Sequence, residues 1–234
     1  MNKTFAVVPL LFLHGFNCDP STWDHQIEFF KDRYKVYTPD LPFHGTSSVP
    51  AEPTVEGLAE AMIAFIEKEK MGAPIVIGHS LGGMVALQMA LRSPQSLRAL
   101  VLADAFPSLA VNRRFLPSIF GPDTPSTVRE QALRVMDRGR EKMPTPIQDR
   151  IWESIEKTDV TERLGEIQIP ILGIYGGRDL YRSEDASRLK HDLQLDQLPQ
   201  CEVVILEGMG HFVQMEAPEA FNRALDEYNL KLEK

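Results

Sequence analysis

Cysteine is scarce in this chain: Cys18 and Cys201 are the only two in 234 residues. At most one disulfide can form, which excludes a disulfide scaffold and makes a reducing cytoplasm the expected compartment. The two thiols form no CxxC pair, so a metal site built on them is not expected. Positive charge is also in deficit, with 25 Lys and Arg against 33 Asp and Glu for a formal net charge of −8. Nucleic acid and anionic membranes are gripped by clustered Lys and Arg, so neither is an expected partner. No apolar stretch approaches the ~20 residues of a membrane span. The apolar run Phe5 to Leu13 follows Lys3 and imitates the core of a signal peptide. No small-x-small site follows, however, and the run ends in His14-Gly15, so a buried strand is the preferred reading. Internal repeats and low-complexity tracts are absent as well.

What is present is an ordinary globular balance, 43% apolar and 25% charged, enough to build an extensive core. Short, nearly continuous apolar runs read as strands covered on both faces: Leu10–Leu13, Tyr34–Thr38, Pro74–Gly78, Leu97–Ala103, Ile169–Tyr175 and Cys201–Leu206. Helical patterns lie between them. Thr54 to Lys70 places Val55, Leu58, Ala59, Met62, Ile63 and Ile66 on one face, with Thr54 as cap and Gly72 as stop. Leu81 to Arg92 is a second helix, ended before Pro94, and Pro218 opens a last one. Alternating strands and helices predict a parallel sheet with helices on both faces. The alternation breaks between about Phe106 and Leu164, a segment with six prolines and two helical patterns, Thr127–Arg138 and Pro146–Lys157. It reads as an insertion over the end of the sheet. The expected division is therefore a core of residues 1–105 and 165–234 and a helical cap of residues 106–164.

Gly78-His79-Ser80-Leu81-Gly82 matches G-x-S-x-G, with the strand Ile75-Val76-Ile77 before it and a helix after it. A strand–turn–helix of this kind holds its serine in a strained backbone conformation with the hydroxyl exposed, and small neighbours make room. The plainer alternative is a serine capping an ordinary helix. A serine hydroxyl needs a base. Of the six histidines, His211 is best placed, on a loop after the last strand run and before Pro218. The base in turn needs a carboxylate to fix its tautomer. Asp179, closing Gly176-Gly177-Arg178-Asp179 after a strand, is the favoured residue, and Asp104, at the end of Leu97–Ala103, is the rival. The backbone amides of Leu81 and Phe16 are candidate oxyanion donors. Phe16, Phe106, Phe115, Ile119, Phe120, Trp152, Tyr181 and Phe212 are candidate substrate contacts, of which fewer than half are expected to line the pocket.

Taken together these motifs resemble the α/β-hydrolase superfamily over nearly the whole chain. Leu13-His14-Gly15-Phe16 is similar to its oxyanion loop, and Asp40-Leu41-Pro42-Phe43-His44-Gly45-Thr46-Ser47 to its D-x-x-G-H-G-x-S turn, with Phe43 in place of a glycine. Gly78–Gly83 resembles the nucleophile elbow, Gly176–Asp179 the acid turn, and Gly210-His211-Phe212 with Glu216-Ala217-Pro218-Glu219 the histidine loop. The order Ser80, Asp179, His211 is the superfamily order. The resemblance implies an α/β-hydrolase fold: a mostly parallel sheet of six to seven strands flanked by helices, with a short helical cap before the acid strand and a shortened leading edge. It implies a serine hydrolase acting on a small or medium carboxylic ester, lactone or thioester through an acyl-enzyme, with no metal or organic cofactor. The small single-domain esterases and enol-lactonases are the most alike. Alternatives on the same scaffold are a lyase, as in the superfamily's menaquinone-biosynthesis synthase, and a carbon–carbon bond hydrolase.

Overall fold

The computed structural model of the chain describes residues 8–112 and 118–233. Six parallel strands form one sheet among the described residues, in the order β2-β1-β3-β4-β5-β6. They are β1 (Leu10–Leu13), β2 (Val36–Tyr37), β3 (Ile75–His79), β4 (Ala99–Ala103), β5 (Ile171–Gly176) and β6 (Cys201–Leu206). Leu10–Leu13 and Cys201–Leu206 keep the bounds read from sequence, while the ends of the other four runs shift by one or two residues, most at Tyr34–Thr38, where β2 pairs with β1 only through Val36 and Tyr37.

Side chains of a strand alternate between faces, and here each face has its own core. Leu11, Leu13, Val76, Leu100, Leu102 and Ile171 enter one apolar cluster, packed by α2 (Val55–Lys68) and α3 (Leu81–Arg92). Leu10, Phe12, Ile75, Ile77, Val101 and Ile174 enter the other, with Phe30 of α1 (Asp24–Phe30) and Phe221 and Leu225 of the C-terminal helix, Pro218–Leu232. Burial on both sides explains why the strands read as unbroken apolar runs. The N-terminus of α2 is fixed by Thr54, whose Oγ1 accepts the Gly57 N–H at 3.0 Å, so the expected cap is in place.

Between β4 and β5 the chain forms α4 (Leu109–Asn112), α5 (Ser126–Lys142) and α6 (Thr145–Lys157). The two ends of this insertion are stitched together by an antiparallel bridge between Ser108 and Asp159 and by the Val160 N–H donating to the Pro107 carbonyl at 3.1 Å. From α6, Ser154 Oγ accepts the Val55 N–H at 2.9 Å, and Ala132 and Val135 of α5 pack with Cys18, Phe212 and Met215. The insertion thus lies over the carboxyl ends of the strands. The remaining helices are α7 (Ala186–Asp192), α8 (Val213–Glu216) and α9 (Pro218–Leu232). No helix among the described residues is long and apolar enough to cross a membrane.

Candidate active site

The strand order reverses between β1 and β3, since β2 lies on one side of β1 and all later strands on the other. In open α/β sheets the crevice beyond the carboxyl ends at such a point is where ligands bind. The chain delivers Gly15 and Phe16 there from β1 and Ser80 from β3.

Ser80 sits at φ 53°, ψ −118°, between β3 and α3. A non-glycine residue in this region carries roughly 1–3 kcal/mol of strain, which the surrounding structure must over-determine. The neighbours explain how the turn closes. A Cβ on Gly78 would lie 2.4 Å from the Gly82 carbonyl oxygen, and one on Gly82 would lie 2.2 Å from that of Leu13. Only glycine permits both approaches. Leu81 opens α3, and its N–H, like that of Phe16, has no hydrogen-bond acceptor among the described residues.

The loop after β6 brings His211 to the same place. Its N–H donates to the Ile119 carbonyl at 2.7 Å, and its carbonyl accepts from His79 Nε2 at 2.8 Å. A carbonyl only accepts, so His79 carries its proton on Nε2. Burial, then the neighbouring His211, lowers the His79 pKa to about 3, and the ring stays neutral as a strut. The buried Glu216 carboxylate accepts the N–H groups on either side of His211, from Gly210 at 2.7 Å and Phe212 at 2.8 Å. It also accepts from Gly121 and from the Thr124 hydroxyl in the insertion.

The ring of His211 hydrogen-bonds through Nδ1 to Asp104 Oδ2 at 2.7 Å. Asp104 is fully buried at the end of β4 and also accepts the Gly176 N–H at 3.1 Å. Burial by itself would raise its pKa. The charge of Arg178 and the hydrogen bond and charge of His211 overturn that and hold the carboxyl well below the usual carboxylate range. The expectation for Asp179 is therefore corrected. The turn after β5 places Arg178 at φ 51°, and its guanidinium folds inward onto Asp104. Asp179, one residue on, is exposed and makes no side-chain hydrogen bond among the described residues.

Ser80 and His211 line one cavity of about 300 Å³, although no hydrogen bond joins Ser80 Oγ to the ring among the described residues. Of the eight candidate substrate contacts, Phe16, Phe106, Ile119, Trp152 and Phe212 line this cavity, which corrects the expectation that fewer than half would do so. Phe120 does not: it stacks on Phe212 at 6.0 Å, one layer behind the wall. Tyr181 is also elsewhere, buried with its hydroxyl donating to Asp192 at 2.8 Å. Phe115 lies outside the described residues. The sequence reading missed Cys18, Met84, Met136 and Ile155 in the wall, and Arg178 and Glu216 behind it. The only advance signals for those two were a basic residue one place before Asp179 and a glutamate within the quoted histidine-loop motif. Burial raises the Cys18 thiol to about 12, so it is an inert wall residue.

The fold and the crevice define a protein of the α/β-hydrolase class. The chain belongs to the alpha/beta hydrolase family, whose model matches residues 10–224. It is 24% identical over 245 residues to a pimeloyl-[acyl-carrier protein] methyl ester esterase of Nitrosomonas europaea, covering 93% of this chain and 94% of the relative. It is 23% identical to 3-oxoadipate enol-lactonase 2 of Acinetobacter baylyi, covering 93% and 86%. Among solved structures, MenH from S. aureus superposes with a TM-score of 0.79 at 23% identity, covering 100% of this chain and 97% of that one.

Proposed function

We propose that the chain is a serine esterase that cleaves small or medium carboxylic esters, including lactones or thioesters, with Ser80 as nucleophile, His211 as base and Asp104 as the carboxylate behind it. One observation carries the reading: a strained Ser80 shares a largely apolar cavity with an imidazole whose far nitrogen is bonded to a buried carboxylate.

Because Asp104 accepts from Nδ1, the neutral ring of His211 keeps its lone pair on Nε2. When a substrate closes the cavity, Ser80 Oγ passes its proton to Nε2 and attacks the carbonyl carbon. Hydrogen bonds of this kind are often loose before substrate is bound. The resulting oxyanion is met by the N–H groups of Phe16 and Leu81, with the N-terminal end of α3 adding positive potential. The imidazolium then protonates the leaving alcohol, and the carbon–oxygen bond breaks to leave an acyl-Ser80 ester. Water, deprotonated by His211, attacks that ester, and Ser80 recovers its proton as the carboxylic acid departs. The cavity volume suits a small or medium acyl group, with the rest of the ester directed past Trp152 and Ile119, both substantially exposed. Two free cysteines fit a reducing, cytoplasmic setting.

Ser80→Ala tests the nucleophile. Hydrolysis of p-nitrophenyl esters of graded acyl length should fall to the background rate while the far-UV spectrum and melting temperature stay near wild type. Mass spectrometry of wild type quenched during turnover should find the acyl group on Ser80. Retained turnover in the variant would remove Ser80 from the mechanism, and ester hydrolysis with no acyl group on Ser80 would favour direct attack by water activated at His211.

A further inference from the structure

The turn expected to carry the acid delivers a cation instead. Arg178 is only 6% exposed, and its guanidinium hydrogen bonds all run to groups close around Asp104. Nη2 donates to Asp104 Oδ2 at 2.8 Å, and Nη1 to Oδ1 at 3.3 Å and to the Gly176 carbonyl at 2.9 Å. Nε donates to the Ser118 carbonyl, in the insertion, at 3.3 Å.

We propose that Arg178 is a positioning residue of this active site: its planar fork fixes the Asp104 carboxylate in the plane that His211 needs and fastens that plane to the insertion at Ser118. The inference rests on the Ser80–His211–Asp104 reading. Four N–H donors in one rigid plane meet four oxygens, a match that an ammonium cannot make. A buried ion pair is weak evidence for stability, because desolvating both charges offsets their attraction. What the pair does supply here is orientation. Asp104 Oδ2 is shared by Arg178 Nη2 and His211 Nδ1, so rotation of the carboxylate about its own axis would break both bonds. The groups facing the His211 ring and loop are Asp104 after β4, His79 on β3, Arg178 after β5 and Glu216 on α8.

Removing the fork has a directional consequence. Burial drives Asp104 towards its neutral form, and Arg178 is the foremost opposing influence. Without it, Asp104 takes up a proton at higher pH, and a protonated acid no longer aligns the imidazole. In R178M the acidic limb of kcat/KM should therefore move to higher pH. At pH 8 kcat should fall about 10- to 100-fold with KM little changed, the range seen when outer partners of ligating histidines are removed. R178K keeps the charge and loses the fork, so its acidic limb should stay near wild type while kcat still falls. A second measurement needs no turnover: in the Ser80→Ala background with 13C-carboxyl aspartate, the Asp104 signal should titrate at higher pH in R178M than with Arg178 present. This separates the inference from the esterase reading, whose failure would be absence of ester turnover by the wild-type chain. If R178M does not fold, R178Q takes its place in both measurements. An Asp104 signal titrating at one pH with and without Arg178, or wild-type kcat in R178K, would overturn the proposal.

Discussion

Replacing Asp104 by asparagine separates this active site from the one with Asp179 as its acid. The substitution keeps the shape and removes the charge. Asp104 now accepts from four donors, the Gly176 N–H, His211 Nδ1 and both Nη atoms of Arg178. An asparagine has one acceptor oxygen and a donor amide. If its oxygen takes the Oδ1 place, its NH2 meets both Arg178 Nη2 and His211 Nδ1 and forces the wrong imidazole tautomer. If the oxygen faces His211, a donor meets the guanidinium. In serine-protease triads the same exchange costs about 10⁴ in kcat, or about 5 kcal/mol of transition-state stabilisation. Stability should suffer as well. A buried Arg178 stripped of its counter-ion is worth roughly 3–5 kcal/mol of destabilisation. For a chain of this size that is a fall of about 6–20 °C in melting temperature. Rates must therefore be read well below the transition, for example at about 15 °C, on protein shown folded by circular dichroism. Asp179→Asn, a change at an exposed side chain, should leave stability within about 0.5 kcal/mol and rate within about twofold. A large rate loss in Asp179→Asn with near-normal turnover in Asp104→Asn would refute the reasoning outright.

Further expectations follow from packing and ionisation. Gly82→Ala forces a Cβ to 2.2 Å from the Leu13 carbonyl, where backbone must move; a loss of about 1–3 kcal/mol in stability should accompany a fall of more than about tenfold in kcat as the Leu81 amide shifts, and both are read by urea melts and ester assay. Trp152, 45% exposed and 5.9 Å from the Phe16 ring, should on replacement by alanine weaken long-acyl substrates through KM with little change in melting temperature. Stability should decline as pH falls below about 6.5, where unfolded histidines gain protons. His44 and His79, lowered by burial to about 3, stay neutral in the fold across that window. Each such histidine contributes a slope of up to about 1.4 kcal/mol per pH unit between those limits. Asp104 acts with the same sign, but lower down. Its depressed pKa adds stability above the unfolded carboxyl range, lost only as pH falls through the folded value. A flat urea midpoint between pH 6.5 and 4 would contradict the histidine argument.

Much of this was legible in the residues. Strands covered on both faces leave unbroken apolar runs, and the glycines around Ser80 are the trace of backbone passing within 2.4 Å of where side chains would be. The carboxylate that meets His211 was not legible, for a specific reason. Asp104 and Asp179 both close a strand, and the choice is made by the dihedral angle of Arg178, which turns one side chain inward and leaves the next in solvent. Phe120 and Phe212 posed the same difficulty. Both are aromatic residues near the site, and only the stacking order decides which one forms the wall. Glu216 was hidden because its partners are backbone N–H groups, which every sequence has.

The stitch at Ser108 and Asp159 has a consequence for how such a chain diversifies. Because the polypeptide leaves and rejoins the layered core at a single fastened doorway, residues can be added or lost inside it without slipping the register of β4 against β5. Lengthening a surface excursion is thermodynamically cheap, each doubling adding only about 0.6 kcal/mol of closure entropy. Residues 118–124 hold His211, Arg178 and Glu216 in place, so exchanging residues 126–157 between relatives with that stretch kept is a practical route to new selectivity.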